Sequence, residues 1–428
     1  MRNINTNKKE ILDKGLKVFS IRVLGYGFGF LFTLIVANKY GARVQGVFAI
    51  AFLFLSIGAM ISKLGMETSL VKWIASTLEI EVKKNLYIKS LQLTIFNSVL
   101  IGFVLYFLAP SIALMYNKPD VENSIKLAAL AIPFLAILDV SGSYFKGEKK
   151  TNTFGMYFHF AKFLFPFIII LIFLYGSIYI IEAPILAYLI GLFMVSFVIM
   201  IHIFKILKGK PRKINERFSF KFMFLESYPM MVSSAIVMIM GWSDVFILGF
   251  YASEEQIGVY STAIKLATVV SFTYNAIATI ATPKIAAYYH NNKSEELKET
   301  VAFSSKMMVY CGFPIFTVIF CFPEFILSFF GEEYVAGKTV LRILLFAQLT
   351  NVITGPVGPI FQMTGHQKKL QKIITMSLIF NIVLSLVLVR FFKMEGVALA
   401  SAAGMMLWNV LGAYYIRKRL NIRTWVKF

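Results

Sequence analysis

Charged residues are scarce in this chain, at 15% of 428. A water-soluble domain carries about 25%, so the chain is not built to present a whole surface to water. Cysteine and histidine are scarcer still, with two and four copies. Cys311 and Cys321 fall ten residues apart in one apolar run. At the helical rise they stand about 15 Å apart, too far to bridge, and they read as small apolar core residues. No HExxH and no Cys/His cluster with ligand spacing is present, which excludes a recognisable metal site. No GxSxG occurs either, and the apolar runs leave no stretch long enough for a soluble catalytic domain. A non-enzymatic chain without cofactors is therefore expected. The run from Gly331 to Thr339 imitates a phosphate-binding loop, but it has one residue too many between its glycines, so an ATP motor is excluded.

What the chain has is hydrophobic mass: 58% of its residues, with a mean hydropathy of +0.72. A bilayer core takes about 20 apolar residues as helix. Twelve such runs are expected, at 15–37, 46–64, 87–109, 124–145, 153–175, 183–206, 224–250, 258–281, 301–322, 338–363, 371–392 and 396–416. The first follows a polar start and is too long for a signal-peptide core, so it is expected to be retained.

Acidic residues are the minority charge, 22 against 43 basic, for a net +21. Such an excess suits a nucleic acid or a membrane surface, and its distribution decides between them. If the gaps between spans alternate sides, only Lys39, Arg43, Lys118, Lys338, Arg342, Arg390 and Lys393 fall on the side away from the termini. Nearly all other Lys and Arg fall on the side of the termini, as the retention of positive charge inside the cell requires. Both termini are thus expected in the cytoplasm and no nucleic acid is expected as partner.

The chain also reads twice. Gly46-Val47-Phe48-Ala49 returns as Gly258-Val259-Tyr260-Ser261, and Pro110-Ser111-Ile112 as Pro323-Glu324-Phe325. Gly147-Glu148-Lys149-Lys150 returns as Gly365-His366-Gln367-Lys368-Lys369, and Ala183-Pro184-Ile185 as Gly396-Val397-Ala398. The four pairs keep nearly one offset. The expected fold is an all-α membrane protein of twelve transmembrane helices in two six-helix bundles, residues 1–207 and 222–428. A basic cytoplasmic linker, 208–221, would join them. Six spans per half give both halves one orientation, the arrangement of parallel repeats in secondary transporters.

Ionisable residues inside spans cost at least about 2.5 kcal/mol and usually face a cavity or a partner. Five are basic: Arg22, Lys126, Lys162, Lys265 and Arg342. Asp139 and Asp244 are the acidic ones, and His159 is a further titratable group. The repeat gives Lys126 and Arg342 similar positions, near span ends, where snorkelling to the interface competes with facing a central cleft. Arg22 and Lys265 lie deeper. A net positive cavity suits an anionic head group, since Arg grips phosphate oxygens with two parallel hydrogen bonds. Asp139, Asp244 and His159 are candidates for ion coupling; each aspartate could equally pair with a lysine or cap a helix break, and His159 reads first as a satisfied polar residue and only second as a proton relay. Gly25, Gly27 and Gly29 in the first span, with Pro133, Pro166, Pro229 and Pro314 in later ones, permit bending and close helix approach.

Ala37-Asn38-Lys39-Tyr40-Gly41, spaced to Gly46-Val47-Phe48, is followed by Ser62-Lys63-Leu64-Gly65-Met66-Glu67-Thr68 and Lys72. Later come Pro229, Asp244-Val245-Phe246-Ile247-Leu248-Gly249, Pro283, Phe330-Gly331-Glu332-Glu333-Tyr334 and Gly365 with Lys368-Lys369. In this order and spacing the whole chain resembles the polysaccharide flippases (O-antigen and capsule repeat-unit flippases) of the multidrug/oligosaccharidyl-lipid/polysaccharide exporter superfamily. The resemblance implies a V-shaped pair of six-helix bundles in the cytoplasmic membrane. It also implies a substrate, an undecaprenyl-diphosphate-linked oligosaccharide, moved between leaflets by alternating access with H+ or Na+ as coupling ion. Membrane lipids would be its other partners, with room for polysaccharide polymerase or assembly proteins. Lipid II flippases are similar but usually carry two more C-terminal spans. A multidrug or cation antiporter of the superfamily would want an acidic or apolar cavity, whereas this one is net basic.

Overall fold

The computed structural model of the chain describes residues 2–207 and 219–426, with side chains from Ser20 onward except that of Ser233. Among the described residues the structure is helical and contains no strand. It forms two compact units, Met1–Met238 and Ile239–Phe428. Ten helices among the described residues are long and apolar enough to cross a membrane. This is a multi-pass membrane protein.

The first unit holds α1 (Arg2–Lys63), α2 (Met66–Ala75), α3 (Ile80–Tyr116), α4 (Val121–Gly147), α5 (Thr151–Gly155), α6 (Lys162–Tyr175) and α7 (Ala183–Ile206). Its centre is α4, packed against α1, α2, α3 and α7. Small residues let α4 approach its neighbours closely, since without a hydrophobic drive in lipid, helices gain by backbone proximity. Ser141, Gly142 and Ser143 are buried there, and Ser141 shares a 2.8 Å hydrogen bond with Tyr87 of α3. In contrast α3 turns Phe96, Phe103 and Phe107 outward, as a lipid-facing helix does.

Two of the ten candidate spans contain a non-helical residue. In α1 it is Gly41, at φ 87 and ψ 171. The 44-residue apolar stretch Ser20–Lys63 would otherwise run about 66 Å as one rod, twice a bilayer core. Between α5 and α6 the chain does not leave the helix but loosens into a π-helical turn, Met156–Ala161. Such turns insert an extra residue and often mark functional sites. Here it lets α1 come in close: a Cβ on Gly25 would lie 1.7 Å from the His159 carbonyl oxygen, so only glycine fits.

A helix that begins in the first unit and ends in the second, α8 (Phe220–Tyr251), carries the division between them. Its first turns pack on α2. Lys72 Nζ donates to Glu226 Oε1 at 2.7 Å, and Ser69 Oγ donates to Met230 Sδ at 3.3 Å. The left-handed Gly65 (φ 80) sits against Ser227, leaving no space for a side chain. Of the expected linker 208–221, residues 208–218 lie outside the described residues.

The second unit continues with α9 (Glu254–His290), α10 (Ser294–Cys321), α11 (Pro323–Ser328), α12 (Lys338–Ile353), α13 (Val357–Met363) and α14 (Gln367–Leu420). A capping box opens α9: Gln256 N donates to Ser253 Oγ, and Ser253 N to Gln256 Oε1. The expected span 338–363 is instead two helices. Pro356 and the left-handed Gly355 (φ 72) interrupt it, and Gly355 is pressed between Ser305 and Thr424. Lys393 (φ 43, ψ −120) breaks α14, after which the chain folds back on itself: Gly396 lies against Leu388, and Gly404 against Asn381 and Ser377. The two cysteines correct the sequence reading. Both are free and exposed on α10, since apolar side chains of a membrane-spanning helix need not turn inward.

Candidate functional site

The structure brings four of the sequence-selected residues together in the first unit: Arg22, Asp139, His159 and Lys162. The anchor is an ion pair. Lys63, the last residue of α1, donates to Asp139 Oδ2 on α4 at 2.6 Å, and both side chains are 12% exposed. Lys162 and Lys146 are also within electrostatic reach of Asp139, while Glu67 acts on Lys63 and Lys146. Arg22 acts on Lys146 and His159.

Each member has a local cause. Asp139 and Lys146 are seven residues apart on α4, two turns along one face. Lys63 stands where α1 ends, before the left-handed Leu64 and Gly65 that start α2 and bring in Glu67. The π turn presents His159 and feeds Lys162 into α6. Aromatic rings fix the lysines: Lys146 Nζ lies 4.2 Å from the Phe154 ring centre, and Lys162 Nζ 4.7 Å from that of Phe158. His159 packs edge-on to Phe154 and Phe158.

The cations Arg22, Lys63, Lys146 and Lys162 outnumber the carboxylates Asp139 and Glu67. Several polar atoms are buried without a hydrogen-bond partner: Arg22 Nε, Asp139 Oδ1, Glu67 Oε2 and His159 Nε2. His159 is thus not a satisfied polar residue at Nε2. Lys146 is exposed and Arg22 and Lys162 half-buried, so the cluster is reachable from outside. An incompletely satisfied, net positive, accessible cluster can take up an anion of two or more oxygens. Lys63, Lys146 and Glu67 were not selected from the sequence. Their signal was present, since Lys63 and Glu67 lie in a motif of the resemblance, but span ends rich in lysine read first as positive-inside charge.

Asp244 has a different environment, in the second unit. It is 6% exposed, on α8. Tyr260 Oη of α9 donates to its Oδ2 at 2.6 Å, and Ser401 Oγ of α14 to its Oδ1 at 2.5 Å. Asn381 Nδ2 donates to Ser401 Oγ at 2.8 Å and Ser243 Oγ to Asn381 Oδ1 at 3.2 Å, closing the network. Among the described residues no cation pairs with this carboxylate.

The remaining selected residues stand apart from these groups. Lys126 pairs with Glu122 one turn earlier on α4, at 2.6 Å, and covers the Tyr106 ring. Arg342 of α12 donates to the Phe320 carbonyl at 3.4 Å and lies over that ring. Near it, outside the spans, a hydrogen bond from Lys338 at 2.7 Å holds the Glu324 carboxyl below its usual range. Lys265 is half-buried on α9. Among the described residues no group of three or more His, Cys, Asp or Glu could hold a metal ion.

Comparison with known proteins gives these arrangements a context. Residues 11–289 match the family described as polysaccharide biosynthesis protein, and residues 229–387 match the MatE family. A probable low-salt glycan biosynthesis flippase, Agl15 of Haloferax volcanii, is 23% identical over 183 residues, 42% of this chain and 39% of that protein. The teichuronic acid biosynthesis protein TuaB of Bacillus subtilis is 25% identical over 125 residues, 29% of this chain and 26% of that one. Each match thus spans well under half of the relative. Among solved structures, the lipid II flippase MurJ in an inward closed conformation superposes with a TM-score of 0.76 at 16% identity, over 93% of this chain and 87% of that one. An inward-facing multidrug resistance transporter of the MATE family and MOP superfamily also gives 0.76, at 15% identity over 95% and 98%. A MOP superfamily transporter from Pyrococcus furiosus, described as having a binding pocket of reverse polarity, gives 0.64 at 15% identity over 95% of each chain. These likenesses establish the fold.

Proposed function

The chain belongs to the polysaccharide biosynthesis protein family of the MOP superfamily, and on that premise we propose that it is a flippase for an undecaprenyl-diphosphate-linked oligosaccharide. It is a transporter in the cytoplasmic membrane, not an enzyme. The observation that carries the reading is the cationic cluster around Asp139. A diphosphate crossing a bilayer loses its hydration and needs fixed positive charge in exchange. Arg22, Lys146 and Lys162 supply that charge, with Lys265 and Arg342 as further candidate contacts in the second unit and Lys126 at a span end. The prenyl tail stays in lipid while the head group is held.

Twelve spans are supported by dividing α1 at Gly41 and α14 at Lys393. With twelve, both termini fall on the cytoplasmic side, the one that collects Lys and Arg, and the halves become parallel repeats, 1–207 and 222–428.

Coupling to H+ or Na+ through alternating access is assigned chiefly to Asp244. A buried carboxylate held only by hydroxyls keeps an uncompensated charge, and binding a cation relieves it. Asp139 already has Lys63, and His159 stands beside Arg22, so both are weaker coupling candidates. The net positive charge of the cluster disfavours organic cations as cargo, which speaks against a multidrug antiporter.

The test is reconstitution. Wild-type protein in proteoliposomes should carry an undecaprenyl-diphosphate-linked sugar from one leaflet to the other, and Arg22→Ala should slow this at least tenfold with protein levels unchanged. Normal translocation by Arg22→Ala and Lys162→Ala alike would remove the cluster from the site.

A further inference from the structure

A basic pocket lies in the second unit and shares no residue with the cluster described above. It has a volume of about 420 Å³ and sits between the two arms of α14. Lys369 and Lys372 come from the first arm, Lys418 and Arg419 from the second. Their spacing is helical: 369, 372, 373 and 376 lie on one face, and 411, 414, 415 and 418 on the other. The fold-back after Lys393 turns these faces toward each other, and Lys369 Nζ reaches to 5.6 Å from the Tyr415 ring centre.

Charge in this pocket is of one sign. No acidic side chain lines it, and among the described residues none of the four cations enters an ion pair. All four are exposed. Deeper along the same faces the lining turns apolar, with Ile373, Met376 and Leu411, of which Met376 is 49% exposed. Tyr414, at 60% exposed, stands between the cations and the apolar residues, as aromatic rings do at membrane surfaces. Cations at the helix ends, then tyrosine, then open apolar side chains follow the layers of one lipid leaflet: phosphate, interface, acyl chain.

We propose that this pocket binds the head group of an anionic glycerophospholipid of the cytoplasmic leaflet, its phosphate among Lys369, Lys372, Lys418 and Arg419 and its acyl chains along Met376 and Leu411. The placement in that leaflet rests on the topology proposed above. Basic pockets between helices on the cytoplasmic side suit such lipids, each Lys or Arg adding about fivefold in affinity. The same phosphate chemistry is present in the diphosphate lipid that the chain is proposed to move. Apolar residues exposed beside the cations favour a resident lipid over a cargo.

Phosphatidylglycerol binding to the full-length protein in detergent, read by native mass spectrometry, tests this. Phosphatidylglycerol should bind at least tenfold tighter than phosphatidylcholine, and Lys372→Gln with Lys418→Gln should reduce its affinity about 25-fold. Lys372→Arg with Lys418→Arg, which keeps the charge, should retain binding and show that the loss is electrostatic. Equal binding of phosphatidylcholine, or undiminished phosphatidylglycerol binding by the glutamine variant, overturns the proposal. So does displacement of phosphatidylglycerol by undecaprenyl diphosphate at lower concentration, which would make the pocket a cargo site. Arg22→Ala, which tests translocation, should leave lipid binding unchanged, so either reading can fail alone.

Discussion

Two aspartates divide the chemistry of this protein between its two units. Asp139 lies among cations, with Lys63 at 2.6 Å and Lys146 and Lys162 nearby. Asp244 lies among hydroxyls, with Tyr260 at 2.6 Å and Ser401 at 2.5 Å. The same side chain therefore does opposite work. In the first unit the carboxylate offsets part of a positive excess. In the second, among the described residues, it is held by hydroxyls with no cation paired to it, the environment from which we propose cation coupling. A carboxylate in a membrane helix is thus read from its partners, not from its depth.

The largest effect expected from breaking this contrast is on stability in the first unit. Asp139→Asn takes from buried Lys63 its 2.6 Å partner, leaving Glu67 as the remaining carboxylate acting on it, and should cost about 3 kcal/mol, read as a lowered Tm in detergent. Lys63→Met combined with Asp139→Leu removes both charges and should restore most of that loss. If the single and double variants melt alike, the pair is not what holds these helices together.

Next in size is transport. Arg22→Ala and Lys162→Ala should each reduce translocation at least tenfold while the Tm changes little, since neither removes a formed ion pair. Asp244→Asn sharpens the other side of the comparison. Asparagine can accept from one of the two hydroxyls through its carbonyl and donate its amide N–H to the other, whose O–H can rotate away, so the fold should persist while transport loses its dependence on the H+ or Na+ gradient. Gradient-driven turnover that survives in Asp244→Asn would clear this residue of coupling. The smallest effect is assigned to Lys126→Gln, whose partner Glu122 lies one turn away at a span end. Both melting and translocation should stay near wild type, and a tenfold loss of transport would return Lys126 to the site.

Much of the membrane architecture was legible because it follows from solvation alone. Long apolar runs and the close helix approach at Gly25 obey local rules, whereas the break at Gly355-Pro356 was missed, since hydropathy reads 338–363 as one span. The cysteines of α10 were misread because apolar residues in a bilayer have two environments, core and lipid, and hydropathy does not separate them. Of the candidate site, Arg22, Asp139, His159 and Lys162 could be selected one by one as charges in apolar runs. Their company could not: Lys63 and Lys146 look in sequence like any other cytoplasmic-end lysine.

The sequence by itself determined that this chain spans a membrane and carries a net positive charge. Those are sums over residues, set by the transfer of each side chain between water and lipid. Which charges meet was decided only by the tertiary structure. Lys63 and Asp139 are far apart along the chain, and no local periodicity reports that α1 ends beside the middle of α4. The partner of a buried charge is a property of helix packing, and it fixes whether that charge is neutralised, shared or left for a ligand.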